Sequence, residues 1–307
     1  MSDSIDSPLI SVVMPSYNHG NFIGRSIQSV LSQTYKNIEL IIVDNNSTDD
    51  TDEVITRFSD NRITLLKIQN NGVIAASRNR GIQASAGEWV AFLDSDDWWK
   101  TDKLERCMAE ATPDTALIYH DMQLVDESLE ASGDTHSKSR RLCKPVLEDL
   151  LINGNTIANS SVVVRKSILL EVKGLDEEAG MVGCEDYNVW LKIARISENF
   201  LYIPEYLGSY LYHSDGVSRK DMILPREAAM KPFLQCLSKN ILNKVRLAQT
   251  KKRYSSGRVA YARKDYVIAY RKFIDCVANG DLILTAKVVY MLVMSGIRVF
   301  MRKISRY

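Results

Sequence analysis

The sequence has no CxxC pair, and its five cysteines (Cys107, Cys143, Cys184, Cys236 and Cys276) are scattered and odd in number. That pattern argues against a disulfide framework or a zinc site and fits a reducing compartment. The phosphate-cradling patterns GxxxxGK[ST] and GxGxxG are missing as well. Any phosphate bound here must therefore be held by side chains and a metal, not by a glycine-rich backbone cradle. The start, Met1–Ser7, is polar and lacks the basic stretch and apolar core of a secretory signal. The most apolar stretch of the tail, Leu282–Phe300, is interrupted by Lys287 and Arg298. Its uninterrupted part falls short of the roughly 20 residues a spanning helix needs. Net charge is also scarce, at +1 overall, but it is unevenly spread. From Arg226 onward there are about 18 Lys/Arg against about 4 Asp/Glu, which leaves the rest acidic. A basic tail of this kind suits anionic lipid or nucleic acid.

What is present is a chain of 307 residues, 45% apolar and 25% charged, enough for one large or two ordinary domains. Short apolar runs at Leu9–Met14, Ile38–Val43, Ile63–Ile68 and Trp89–Leu93 read as buried strands. Between them, Asn21–Gln33, Thr51–Phe58 and Gly72–Ala84 carry helical spacing. Strands alternating with helices predict a parallel sheet with right-handed crossovers. Beyond Trp99 the pattern loosens. Asp102–Ala111, Arg165–Val172 and Glu185–Ile196 read as helices, and Thr115–Tyr119, Ser160–Val164, Phe200–Ile203 and Tyr206–Tyr212 as strands. Ser128–Lys144 is polar and is expected to be a mobile loop. From Pro225 the chain reads as all-helical. Gly257–Val277 resembles a helical hairpin in which Ala260, Ala262, Tyr266, Ala269, Tyr270 and Phe273 supply small and large packing residues. Leu282–Phe300 either packs on the domain or lies in a membrane interface with Arg302, Lys303 and Arg306 at lipid phosphates.

The chemistry concentrates at strand ends. Trp89–Leu93 stops at Asp94-Ser95-Asp96-Asp97. Three carboxylates in four positions carry a large desolvation cost unless water or a cation relieves it. Two readings follow: a solvated acidic turn, or a hard-cation site suited to Mg²⁺ or Mn²⁺. Parallel strands bring their C-terminal loops to one edge, where ligands bind. That edge collects Tyr17 and Asn18 after the first strand, Asp44 after the second, and the acidic cluster after the fourth. Arg78 lies on the helix before the fourth strand. An aromatic face, a carboxylate that accepts an N–H, and a cation site together suit a nucleoside diphosphate. Glu185-Asp186 opens a helix, where the macrodipole favours the ionised carboxylate that a general base requires.

Four segments carry a resemblance: SVVMPSYNHGNFI, IELIIVDNNSTDDT, NNGVIAASRNRGI and GEWVAFLDSDDWW. In this order and spacing the chain resembles an inverting glycosyltransferase of family 2 with the GT-A fold. The likeness continues through SSVVVRKSILLEVKGLDE, CEDYNVWLKIA and YHSDGVS, so it covers roughly residues 8–220. It implies an α/β fold of Rossmann-like, nucleotide-diphospho-sugar transferase type. The sheet would be mixed and mainly parallel, with helices on both faces and a C-terminal helical region added. Residues 1–222 would form the transferase domain, with a donor half at about 8–100 and an acceptor half at about 101–222. Residues 223–307 would form the basic helical region.

Residue by residue, the resemblance implies that Tyr17 lines the base pocket and Asp44 accepts the uracil N–H. Arg78 sits near the base or the phosphates, and Asp94 touches the ribose. Pro15, Asn18, Asn46 and Ser95 complete the nucleotide-sugar contacts. Asp96 binds Mg²⁺ or Mn²⁺, with His213 beside it. Asp186 is the catalytic carboxylate, and Glu185, Trp98 and Trp99 face the acceptor. Two departures stand out. Leu211-Tyr212 stands where many relatives carry an arginine, and Asn188 where relatives often have a second acid. The implied activity moves a sugar from a nucleotide-sugar, a UDP-sugar by the Tyr17/Asp44 match, to an acceptor hydroxyl with inversion. The implied partners are that donor and a saccharide or lipid-linked saccharide acceptor, in cell-surface polysaccharide synthesis. The expected place is the cytoplasm, peripheral on the inner face of the plasma membrane through the basic tail, with no specific nucleic acid. The competing reading is an inactive nucleotide-sugar-binding or scaffold protein with a membrane- or nucleic-acid-binding tail.

Overall fold

The structure is a computed structural model that describes residues 7–126, 131–137, 139–213, 221–277 and 282–304. Two compact units emerge. The first holds the chain through Leu150 together with Asn155–Lys231, and the second holds Leu151–Gly154 and Pro232–Tyr307.

In the first unit the apolar runs become strands β1 (Ile10–Ser16), β2 (Ile38–Asp44), β3 (Ile63–Lys67) and β4 (Trp89–Phe92). Helices α1 (Gly20–Leu31), α2 (Thr51–Thr56) and α3 (Ile74–Ala84) connect them. All three pairings in this half (β3 to β2, β2 to β1, β1 to β4) are parallel. Both faces are covered, which is why these strands read as continuous apolar runs rather than alternating ones. On one side Ile10, Val12 and Met14 meet Ile23, Ile27 and Val30 of α1. On the other, Val13 meets α3 at Gly81, where a Cβ would stand 2.4 Å from a Val13 methyl. Glycine here lets helix and strand approach closely.

The rest of the unit contributes β5 (Trp98–Trp99), α4 (Lys103–Glu110), β6 (Leu117–Asp126), β7 (Ala131–Ser137), the start of α5 (Val146–Asn153), β8 (Val163–Arg165), α6 (Lys166–Glu171), α7 (Glu185–Ile196), β9 (Phe200–Tyr212) and most of α8 (Ile223–Leu234), the last residues of α5 and α8 belonging to the second unit. The nine-stranded sheet runs β3-β2-β1-β4-β8-β6-β9-β5, with β7 on the flank of β6. The sheet is mixed, as expected, but the mainly parallel character holds only for its first half. In the second half β8 pairs antiparallel with both β4 and β6, β5 antiparallel with β9, and only β6 and β9 are parallel. Trp190 of α7 packs on Phe92 of β4, with ring centroids 6.1 Å apart, so this helix anchors to the sheet centre.

Three expectations need correction. The polar segment Ser128–Lys144 is not simply a loop, because Ala131–Ser137 forms β7 against β6, and 128–130 and 138 lie outside the described residues. Phe200–Ile203 and Tyr206–Tyr212 are one strand, whose register against β6 shifts near His120 and Asp121. Ser160 and Ser161 belong to a short 3-10 turn before β8, not to the strand itself.

The second unit is helical, with α9 (Lys239–Ala262), α10 (Tyr266–Ile274) and α11 (Leu282–Ile304). Ser238 caps α9 by accepting the Ile241 N–H at 3.4 Å. The turn between α9 and α10 puts Lys264 at φ 65°. Ala260, Ala269 and Phe273 are buried as the hairpin reading required, joined by Cys276, Leu284 and Val288. Ala262 and Tyr270 face out. A Cβ at Gly257 would stand 2.7 Å from the Phe273 ring, so the two helices approach through that glycine.

Candidate functional site

The C-terminal ends of β1, β2 and β4 open onto one cleft of about 620 Å³. Its walls include Pro15, Tyr17, Asn18, Arg78, Asp94, Ser95, Asp96, Glu185, Asp186 and His213. Ten of the residues named from the sequence thus share one space, although they come from five separate stretches of chain.

The acidic strand end is tightly built. The Ser26 hydroxyl on α1 lies 2.8 Å from the Ser95 carbonyl and 2.6 Å from that of Asp97. His19 Nδ1 is 2.7 Å from Ser95 Oγ. Asp97 is buried, accepting Ser160 Oγ at 2.5 Å and the Leu211 N–H at 3.0 Å. It ties β4 to the turn before β8 and to β9. Burial first, then the Asp96 and Asp94 charges, holds its carboxyl well above the usual range. Asp94 is partly exposed to the cleft, and its Oδ1 accepts from Arg78 at 2.7 Å and from Asn159 Nδ2 at 3.0 Å. Burial raises its carboxyl too, against the pull of Arg78.

Arg78 is the hub of the cleft floor. It is buried, and its two terminal nitrogens donate to Asp94 and, at 2.6 Å, to Glu185. These charges hold the guanidinium ionised despite its burial. Its Nε has no partner among the described residues.

Glu185 and Asp186 divide sharply. Glu185 takes Arg78 on one oxygen and the Gly183 N–H at 2.6 Å on the other. It enters the cleft as the ion-pair partner of Arg78. Asp186 lies in the first turn of α7, accepting the Tyr187 N–H at 2.6 Å, and among the described residues it has no ion-pair partner within salt-bridge distance. Asn155 Nδ2 stands 3.3 Å from its other oxygen. Burial, then the Glu185 charge, pushes Asp186 up to about 7. Desolvation and the like charge thus oppose the helix dipole, which favours the ionised form.

Four sequence-named residues stand off the cleft wall. Asp44 is fully buried. It accepts from the Ser47 N–H at 2.8 Å, the Ser47 hydroxyl at 2.5 Å and Lys67 Nζ at 2.9 Å. Asn46 is exposed at φ 52°, a left-handed conformation asparagine tolerates, and Asn45 lines the cleft instead. Trp99 is in the core, donating Nε1 to the Ser160 carbonyl at 2.7 Å under the Lys103 ammonium, so it cannot serve as an acceptor platform. Trp98 stacks under Arg25 at 4.4 Å, away from the cleft.

Several cleft residues went unread in the sequence. His19 and Phe22 form an aromatic cluster with His213, with centroids 5.7 Å (His19–Phe22) and 5.2 Å (Phe22–His213) apart. Asn159 supports Asp94, and its own Oδ1 has no partner among the described residues. The one signal was the polar run Asn159-Ser-Ser set before the apolar β8.

For a cation the cleft offers Asp96 and His213, with the imidazole Nε2 3.0 Å from Asp96 Oδ2. No cluster of three or more His, Cys, Asp and Glu is placed to hold a metal among the described residues. The Asp96 carboxylate fits Mg²⁺ or Mn²⁺, which are commonly bound through one or two carboxylates with substrate phosphates and water, while the imidazole is the less typical donor for either ion.

Residues 11–162 match the family model described as glycosyl transferase family 2. An uncharacterized glycosyltransferase of Nostoc sp. is 32% identical over 204 residues, covering 63% of each chain. The chain thus spans less than two thirds of that relative's length. The UDP-Glc:alpha-D-GlcNAc-diphosphoundecaprenol beta-1,3-glucosyltransferase WfaP of Escherichia coli is 29% identical over 60% of this chain and 70% of its own. In fold, the chain is similar to residues 1–349 of S. aureus TarS, solved with UDP-GlcNAc. The TM-score is 0.68 at 14% identity, over 93% of this chain and 88% of that one. This likeness supports the GT-A architecture.

Proposed function

Because the chain belongs to glycosyl transferase family 2, we propose that it transfers a sugar, with inversion, from a UDP-sugar to a hydroxyl of a lipid-linked or growing saccharide. One observation carries the reading: Asp186, without an ion pair among the described residues, shares the cleft with the Asp94–Asp97 strand end. The acceptor oxygen attacks C1 of the donor sugar while the C1–oxygen bond to the diphosphate breaks. Asp186 takes the acceptor's proton, and the diphosphate leaves with the bonding electrons. A carboxyl near 7 suits this task, since a general base works best when its pKa lies close to the working pH. Glu185 and Arg78 hold the floor, and Asp94 is placed for donor hydroxyls. Asp96 and His213 would hold the divalent cation, which when bound supplies Lewis-acid stabilisation of the leaving diphosphate.

The named activity of WfaP, glucosyl transfer from UDP-Glc to a diphosphoundecaprenol-linked GlcNAc, supports the choice of donor and acceptor class. TarS with UDP-GlcNAc supports a donor of the same nucleotide. In Asp44, the nucleobase partner implied by the resemblance, Ser47 and Lys67 already engage the carboxylate, so base binding requires that loop to exchange partners. The test is a screen of UDP-sugars for turnover with Mn²⁺ present and absent, paired with calorimetric titration of UDP. Turnover that Asp186→Asn abolishes while UDP still binds is the expected result. UDP binding that ignores both Mn²⁺ and Asp96→Ala would overturn the metal assignment.

A further inference from the structure

Helix α11 keeps one side out of its own core. Leu284, Val288 and Ser295 turn into the helical unit, where the first two meet Ala269 and Phe273. On the opposite side, Ile283, Tyr290, Val293, Ile297, Phe300 and Met301 are between 51% and 70% exposed. At helical spacing these six fall within a stripe about 100° wide. Lys287 and Arg298, both exposed, lie together along one margin of it. Such a stripe, apolar in the middle and basic at the edge, calls for an occupant with the matching profile.

Charge decides among occupants. From Pro232 onward the chain has about 16 Lys/Arg against about 3 Asp/Glu, so a second copy would set like charges face to face. Nucleic acid would match the charge but leave the apolar stripe in water. Counted across Lys287 and Arg298 rather than as an uninterrupted run, Ile283–Met301 is long and apolar enough to span, with 19 residues at mean hydropathy 1.7. Spanning would pull Leu284 and Val288 out of the core and carry Lys287 and Arg298 into hydrocarbon. An anionic bilayer surface satisfies both features: acyl boundary for the stripe and phosphates for the basic margin.

We propose that α11 docks this chain on an anionic lipid surface. It lies parallel to the membrane plane, with the Ile283–Met301 stripe in the headgroup–acyl boundary and Lys287 and Arg298 at the phosphates. The inference does not depend on sugar transfer, since a chain inactive in transfer still reports on vesicle binding.

The experiment is co-sedimentation of the full chain with vesicles of phosphatidylglycerol and phosphatidylcholine in equal parts, beside pure phosphatidylcholine. The wild type is expected to sediment with the anionic vesicles. Binding should fall by about tenfold or more in Val293→Asp/Phe300→Asp, and clearly in Lys287→Glu/Arg298→Glu. Both variants change exposed positions and are checked by an unchanged melting temperature. A wild type that stays in the supernatant overturns the proposal, as does a stripe variant that binds as well as the wild type. So does a wild-type dimer in sedimentation velocity that the stripe variant dissolves while neither binds vesicles, which would assign the face to a second copy. Sedimentation abolished by an oligonucleotide yet unaffected by the stripe variant would assign the charge to nucleic acid.

Discussion

The two units break opposite rules of protein construction. The sheet unit buries ionisable groups: Arg78, Asp97 and Glu185 are almost wholly removed from water, each held by partners drawn from distant parts of the chain. The helical unit exposes hydrocarbon, with Phe300 and Tyr290 each more than 60% open. Buried charge and exposed hydrocarbon are both costly, and in the readings proposed above the first lines a cleft for a small polar ligand and the second faces a lipid surface.

That contrast can be pressed experimentally, and the largest effect is expected in the cleft. Asp186→Asn should lower transfer by about 10²–10⁴-fold while UDP titration is unchanged, because it removes a base and leaves the donor wall intact. Normal turnover in that variant would place the base elsewhere. Next in size, Arg78→Ala should cost about 3–5 kcal/mol in urea unfolding, since it leaves the buried Glu185 carboxylate without its counter-charge and takes the ion pair from the half-buried Asp94. A loss below 1 kcal/mol would mean that water relieves those charges, an order-of-magnitude comparison with an exposed ion pair, worth about 0–1 kcal/mol.

The pH dependence follows from Asp186. The base must be ionised, so kcat/KM should fall as pH drops through about 7, losing about tenfold per unit below it. Stability runs the other way. The folded pKa lies above the ordinary 3.8, so protonation contributes stability that is complete below that value and is lost as pH rises toward about 7. Asp186→Asn stays neutral throughout and should melt above the wild type at pH 8, the gap closing toward pH 4. Equal melting curves at pH 8 would show that Asp186 is well solvated. The smallest effect belongs to the helical unit. Phe300→Asp should shift unfolding by less than about 0.5 kcal/mol, in keeping with an exposed position outside any core.

The parts legible in the sequence were those whose determinants are local. β1, β2 and β4 announced themselves as apolar runs because both faces are covered, and the acidic strand end followed directly from β4. The second half of the sheet was harder. β7 carries the sequence ASGDTHS, which has no apolar alternation to betray a strand, and β9 was split in two by Pro204-Glu205, where its register shifts. The fate of individual acids was harder still. Asp97 had no assignment because its partners Ser160 and Leu211 lie 63 and 114 positions away. Glu185 and Asp186 are neighbours of similar chemistry, and only Arg78, 107 positions before Glu185, tells them apart. Arg306 and the segment after His213 lie outside the described residues.

Arg78 also sets a rule of descent. Its guanidinium grips Asp94 and Glu185 with two different nitrogens, and lysine, with a single compact ammonium, cannot reproduce that fork. A lineage that loses the carboxylate at 185 keeps a buried cation with half its counter-charge, and one that loses the arginine keeps a buried anion at 185 and a half-buried one at 94. Positions 78 and 185 are therefore expected to change together or not at all.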